Sequence, residues 1–213
     1  MYQQLEKDAV DYMLGPSYME DDIRMETNKT GFCKKHYKHL YIQQNRLGVG
    51  LMIHTHLQTI NKELEKLCTN YQPDKKPLFK KAETNPLNIN NISNSCYVCN
   101  KISVTMERYI DTFFYMWKNM PDIREKVKNC KGFCLDHFSL LVGEGQNKLS
   151  AKDYKEFLDI ILPIQQENLK RLEGEVEWFT DKFDYRNRDK DWGTSKDALP
   201  RAITKLASEF VEE

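Results

Sequence analysis

Gly31-Phe32-Cys33-Lys34-Lys35-His36-Tyr37 and Gly132-Phe133-Cys134-Leu135-Asp136-His137-Phe138 are one pattern written twice, Gly-Phe-Cys-x-x-His-aromatic. Between them lies Cys96-Tyr97-Val98-Cys99. A cysteine and a histidine three positions apart share one face of a helical turn. The glycine ahead of them lets the chain turn sharply into that helix. A Cys-x-x-Cys and a Cys-x-x-His together supply three thiols and an imidazole, the donor set of a soft tetrahedral ion. Such a site would pin the start of one helix to the start of another.

Working outward, Asp22-Ile23-Arg24 answers to Asp122-Ile123-Arg124, and His36-Tyr37-x-x-Leu40 to His137-Phe138-x-x-Leu141. Glu6-Lys7 can be laid on Glu107-Arg108 in the same register. The register predicts an internal duplication of one helical unit. It puts the counterparts of Cys96 and Cys99 ahead of Met1, so the expectation is a chain that extends upstream, or a first site that has decayed. The expected metal site is therefore Cys96, Cys99, Cys134 and His137. Zinc is the expected metal, in a closed, structural role. An iron–sulfur cluster and a thiol/disulfide pair at Cys96 and Cys99 are the alternatives. Cys33 and His36 form a second candidate, with Cys68, His39, His54 or His56 as helpers. His54 lies on an apolar side and reads as a core histidine.

Lys and Arg number 32, as do Asp and Glu, so the net charge is zero and nothing invites nucleic acid as a partner. The apolar runs are too short for a membrane span and no signal peptide opens the chain, so the expected location is the cytoplasm. In that setting six cysteines suggest ligands rather than a disulfide framework. High charge with few Gly and Pro favours helix, and the fold class expected is all-α. Residues 1–68 are read as a first repeat unit, 69–95 as a linker or long loop, 96–149 as a second repeat unit and 150–213 as a long helix with a C-terminal tail. Helices are expected over 1–14, about 19–27, 35–67, 101–119, from Pro121 to before Gly132, and from His137 to Gly143. The long helix runs from Ser150 to about Phe183, bent or broken at Pro163. In the last helix Leu199, Ile203, Leu206 and Phe210 share one face.

The run from Tyr185 to Arg201 collects Arg186, Trp192, Lys196 and Arg201 among four aspartates. It reads either as a solvated loop or as a polar pocket for a small anionic ligand.

At these residues the chain resembles an uncharacterised bacterial family, the domain-of-unknown-function 6062 family. The likeness rests on the two Gly-Phe-Cys-x-x-His motifs, Asn45-Arg46-Leu47-Gly48, Cys96-x-x-Cys99, Lys182-Phe183-Asp184-Tyr185-Arg186-Asn187 and Trp192-Gly193-x-Ser195-Lys196-Asp197-Ala198-Leu199-Pro200-Arg201. It covers nearly the whole chain. Members carry a Cys-x-x-Cys ahead of the first Gly-Phe-Cys-x-x-His, a pattern from which this sequence departs. The resemblance implies no activity. Two functional readings follow: a metal-binding helical protein with a binding or regulatory role, or an enzyme or redox protein with a pocket at residues 185–201. No Ser-His-Asp set, phosphate-binding glycine loop or telling carboxylate pair names a catalyst.

Overall fold

The computed structural model describes residues 2–70 and 95–211. Most of the expected linker at 69–95 lies outside the described residues. The fold is all-α, with no strand among the described residues. The helices are α1 (Tyr2–Leu14), α2 (Asp21–Thr30), α3 (Lys34–Ile42), α4 (Arg46–Asn70), α5 (Tyr97–Asn119), α6 (Pro121–Lys128), α7 (Leu135–Lys148), α8 (Ala151–Asp181) and α9 (Ala198–Ala207). The chain divides into two compact units, residues 1–106 and 107–213. The division falls inside α5, within the stretch read from sequence as the second repeat unit.

In the first unit, Val10 and Met13 of α1, Ile23 of α2, Leu40 of α3 and Val49 and Met52 of α4 bury one core, with Cys96, Val98 and Ile102 of the Cys-x-x-Cys segment. The single helix expected over 35–67 is in fact two. Asn45 ends the run: its Oδ1 accepts from the Gly48 N–H at 2.9 Å, and its Nδ2 donates to the Leu14 carbonyl at 2.7 Å. That is an N-cap, and it restarts the helix in a new phase. A Cβ on Gly48 would stand 2.9 Å from the Asn45 amide nitrogen, so glycine there makes room for the cap. The phase change alters which residues face inward. His54, expected on the apolar side, is exposed, as are Leu47 and Leu57, while Val49, Met52 and His56 are buried. The core histidine is His56, whose Nδ1–H donates to the Asn28 carbonyl at 2.7 Å.

In the second unit, aromatic packing dominates. Phe157 of α8 sits edge-on to Trp117 and Phe114 of α5, with ring centroids 5.0 and 5.4 Å apart. Such pairs add to the area they bury, by about 0.5–1.5 kcal/mol each. Helix α7 begins two residues before His137 and continues past Gly143 to Lys148. Ser150 caps α8 by accepting from the Asp153 N–H at 3.2 Å, as its position ahead of an acidic first turn implies. Helix α8 continues through Pro163 without the break that was one expectation there. Along α8 Phe157, Ile161, Gln165 and Leu172 are buried, and Phe183, just past its end, is 77 % exposed. Helix α9 ends at Ala207, short of the expected Phe210; Leu199, Ile203 and Leu206 on it and Phe210 beyond it are exposed.

Candidate metal centre

Each Gly-Phe-Cys stretch is a tight turn into a helix. Gly31 and Gly132 stand at φ +57° and +69°, a region that side chains with a Cβ rarely enter. Both glycines are also approached closely. A Cβ would lie 2.4 Å from His56 Nε2 at Gly31, and 2.7 Å from Gln165 Oε1 at Gly132. Cys33 and Cys134 are the residues that cap α3 and α7, at φ −74°, ψ 166° and φ −67°, ψ 158°. Neither sulfur caps its own helix. A serine or aspartate would do that better, so the thiols are turned to another purpose.

The structure brings four of the six expected ligands together, but in a combination different from the one expected. Cys96 and Cys99 meet Cys33 and His36, not Cys134 and His137. The ligand atoms of Cys33, His36, Cys96 and Cys99 all lie within 4.8 Å of one another. His36 Nδ1 is 3.2 Å from Cys33 Sγ, 3.2 Å from Cys96 Sγ and 3.4 Å from Cys99 Sγ, and the Cys33 and Cys99 sulfurs are 3.9 Å apart. A tetrahedral zinc with the usual bond lengths separates sulfurs by about 3.8 Å and sulfur from nitrogen by about 3.5 Å. The donor set fits the ion.

Backbone contacts explain the pairing. The Tyr97 N–H donates to the Gly31 carbonyl at 3.0 Å, and the Ser95 hydroxyl donates to the Thr30 carbonyl at 2.6 Å. The start of α5 is thereby laced to the α2–α3 turn, and Cys96, Tyr97 and Val98 bury in the same core as Phe32. Spacing could not have chosen between the two Cys-x-x-His pairs. Closing a chain segment of twice the length costs only about 0.6 kcal/mol more, far less than these contacts contribute.

One residue of the site has a weak sequence signal. Glu6 of α1 is buried, and its carboxylate accepts from His36 Nε2–H at 2.8 Å, with Lys35 Nζ also 2.8 Å away. A carboxylate behind a histidine fixes the tautomer that leaves Nδ1 bare for an ion. Only the match of Glu6 to Glu107 in the repeat register hinted at it. Burial lowers the pKa of His36, against the pull of Glu6, which favours the neutral imidazole a metal requires. Burial, helped by the neighbouring thiols of Cys96 and Cys33, pushes the Cys99 thiol up to about 12. Burial would also raise Cys33, but the His36 backbone N–H and the thiols of Cys96 and Cys99 outweigh it and bring Cys33 below its ordinary value. Three packed thiols cannot all ionise unaided; a dication at their centre removes that conflict.

Cys134 and His137 lie in the second unit, with Sγ and Nδ1 2.7 Å apart. Gln165 braces that turn by accepting from the Phe133 N–H at 2.8 Å and donating to the Phe133 carbonyl at 2.9 Å. This explains a glutamine in the apolar stripe of α8. Of the other thiols, Cys68 is exposed, and Cys130 Sγ accepts from the Gly132 N–H at 3.3 Å.

The 185–201 segment is an ordered loop whose residues 191–195 form one side of a cleft. The Lys182 side chain, 7 % exposed, sends its ammonium into the carbonyls of Asn187, Arg188 and Lys190 at 2.7, 2.9 and 2.5 Å. Arg186 folds back on Asp184, Lys196 is exposed, and Arg201 pairs with Glu175 and Asp197. Of the four residues expected to bind a ligand, Trp192 alone lines the neighbouring cleft of about 680 Å³, together with Trp178, Arg171, Lys131 and Glu175. Several polar groups there are paired with one another. Glu175 takes Arg171, Arg201 and Thr194, and Trp178 Nε1 donates to the Asp191 carbonyl at 3.0 Å.

Among the described residues no helix is long and apolar enough to cross a membrane. No curated protein and no solved structure matches the chain. A family model does match, over residues 1–213, and with it the chain belongs to the family of unknown function DUF6062.

Proposed function

We propose that the protein is a zinc-binding helical protein, with one Zn²⁺ held by Cys33, His36, Cys96 and Cys99 in a structural role. The observation that carries this is the convergence of three sulfurs and His36 Nδ1 within 4.8 Å, with the Glu6 carboxylate behind the imidazole. Four protein donors close a tetrahedron and leave no position for substrate. The ion would clamp the α2–α3 turn to the first turn of α5 and so hold the first unit together. The part this favours is a binding or regulatory one, in which the metal maintains a surface. The test is metal analysis and an absorption spectrum of protein purified without oxygen, beside Cys96→Ser. About one tightly held, colourless zinc that Cys96→Ser loses is the expected result. A brown protein containing iron would replace zinc with a cluster. Tight zinc that survives Cys96→Ser would overturn the assignment.

A further inference from the structure

The cleft beside the 191–195 loop is built within the second unit, by residues that the metal centre does not use. Its volume of about 680 Å³ is that of a small-molecule site. Two of the three tryptophans of the chain, Trp178 and Trp192, line it. Both rings are fixed by the protein. Trp178 Nε1 donates to the Asp191 carbonyl at 3.0 Å, and the Lys190 ammonium stands over its ring at 5.8 Å. Trp192 packs on Phe179 at 5.7 Å, with the Lys182 ammonium over its ring at 5.1 Å. That ammonium is itself held by three loop carbonyls. The aromatic walls are therefore set before a ligand arrives, which removes part of the ordering cost of binding.

Gly174 lines the same cleft, inside the 31-residue helix α8. Glycine is a poor helix former, and no close neighbour calls for it there. A Cβ on Gly174 would meet nothing within 4 Å among the described residues. What the missing side chain spares is space in the cleft. The acidic groups are already engaged. Glu175 spends both oxygens on Arg171, Arg201 and Thr194, and the Asp191 carboxylate accepts from the Gly193 N–H at 3.2 Å. Arg171 gives one terminal nitrogen to Glu175. The rest of its guanidinium fork, and the Lys131 ammonium, are left as donors at the cleft.

We propose that this cleft binds a small, flat aromatic molecule that carries an anionic group, a phosphate or a carboxylate. The ring lies against Trp178 and Trp192, and the anion meets Lys131 and Arg171. Stacking on an indole and charge-assisted hydrogen bonds to a guanidinium add to one another, so ring and charge together are recognised better than either alone. The inference stands apart from the zinc reading, since no residue of the cleft is a ligand there.

The test is calorimetric titration of the full chain with adenosine 5′-monophosphate and with 2-naphthoate. Adenosine, 2-naphthol, inorganic phosphate and acetate serve as their separate halves. At least one of the two aromatic anions should bind with a Kd below about 1 mM, and its halves at least about 10-fold more weakly. Tighter binding of the nucleotide identifies a phosphate as the anion, and tighter binding of the naphthoate a carboxylate. Lys131→Ala should weaken the binding by about 10-fold. Gly174→Leu should abolish it without lowering the urea midpoint, because leucine is the better helix former. No binding of either aromatic anion at about 10 mM would overturn the proposal. So would binding that survives Gly174→Leu unchanged, which places the ligand elsewhere, or separate halves that bind as tightly as the whole.

Discussion

The turn at residues 30–37 and the turn at 131–138 share a motif, a backbone conformation and a bracing strategy. Both glycines take a positive φ, both cysteines sit at a helix start, and both turns rest on a buried polar side chain, His56 in one and Gln165 in the other. They differ in what docks against them. In the first, Ser95 and Tyr97 bond to the carbonyls of Thr30 and Gly31 and bring in two thiols. In the second, Lys205 bonds to the Lys131 carbonyl, the position matching Thr30, and Ser208 reaches the sulfur. The motif therefore encodes a local shape with a thiol and an imidazole on its rim. Which groups meet that rim is decided by the segment laid against it.

Removing the metal should separate the two turns most strongly. Structural zinc contributes on the order of 10 kcal/mol in small metal domains. Chelation, or Cys96→Ser, is expected to lower protection of the Tyr97 and Val98 amides in hydrogen exchange far more than that of Phe133. Equal loss at both turns would break the contrast. Next in size are Gly31→Ala and Gly132→Ala. Both force a Cβ into a positive φ, and both place it within 2.7 Å of a buried side chain. Each should cost about 2–4 kcal/mol in urea unfolding, with Gly31 the worse because His56 is nearer and its ring cannot flex away. Gln165→Leu leaves the Phe133 N–H and carbonyl without their partner and should cost about 1–3 kcal/mol. Trp117, Trp178 and Trp192 all lie in residues 107–213, so tryptophan fluorescence reads this loss directly.

Glu6→Gln keeps the shape behind His36 but removes the charge, and should weaken Zn²⁺ binding by about 10-fold to 100-fold. An unchanged affinity would mean that the carboxylate is not coupled to the ion. The smallest effect is on acid stability. Burial would raise the Glu175 carboxyl, but hydrogen bonds from Arg201, Arg171 and Thr194 outweigh it and hold the group below its ordinary 4.5. A carboxyl lowered in the folded state stabilises above its unfolded pKa, and that stabilisation fades as pH falls through the lowered value. The fluorescence-detected urea midpoint should thus drop below about pH 4.5, and Glu175→Gln should reduce that drop. A variant that retains the full acid sensitivity would assign it to other groups.

Much of the fold could be read from local signals. Periodicity and turn residues place α1, α2, α5, α6 and α8 within a few residues of their observed ends, and Ser150 marks its cap. The misreading at 35–67 came from Asn45. Asn-Arg-Leu-Gly carries a cap-plus-glycine signal, but the leucines on either side suggest one continuous stripe. At Pro163 the break, one of the two outcomes expected there, does not occur, because a helix as long and well packed as α8 tolerates one missing donor. At the C-terminal segment, residue types pointed to Arg186, Lys196 and Arg201 as ligand-binding groups. Arg186 and Arg201 are ion-paired and Lys196 is exposed, and Lys182 organises the loop through its carbonyls.

By itself the sequence determined the all-α class, the family and the chemistry at stake: two Cys-x-x-His turns and one Cys-x-x-Cys. These follow from short-range rules of helix periodicity, glycine conformation and ligand spacing, which a single stretch of chain contains. Only the tertiary structure decided that Cys96 and Cys99 join Cys33 and His36, that Glu6 stands behind the imidazole, and that α9 meets the second turn. The physical reason is that two equivalent ligand pairs differ by well under 1 kcal/mol in the cost of closing the chain. The choice falls to Val98, Phe32 and the hydrogen bonds at Gly31, which exist only once the core is packed.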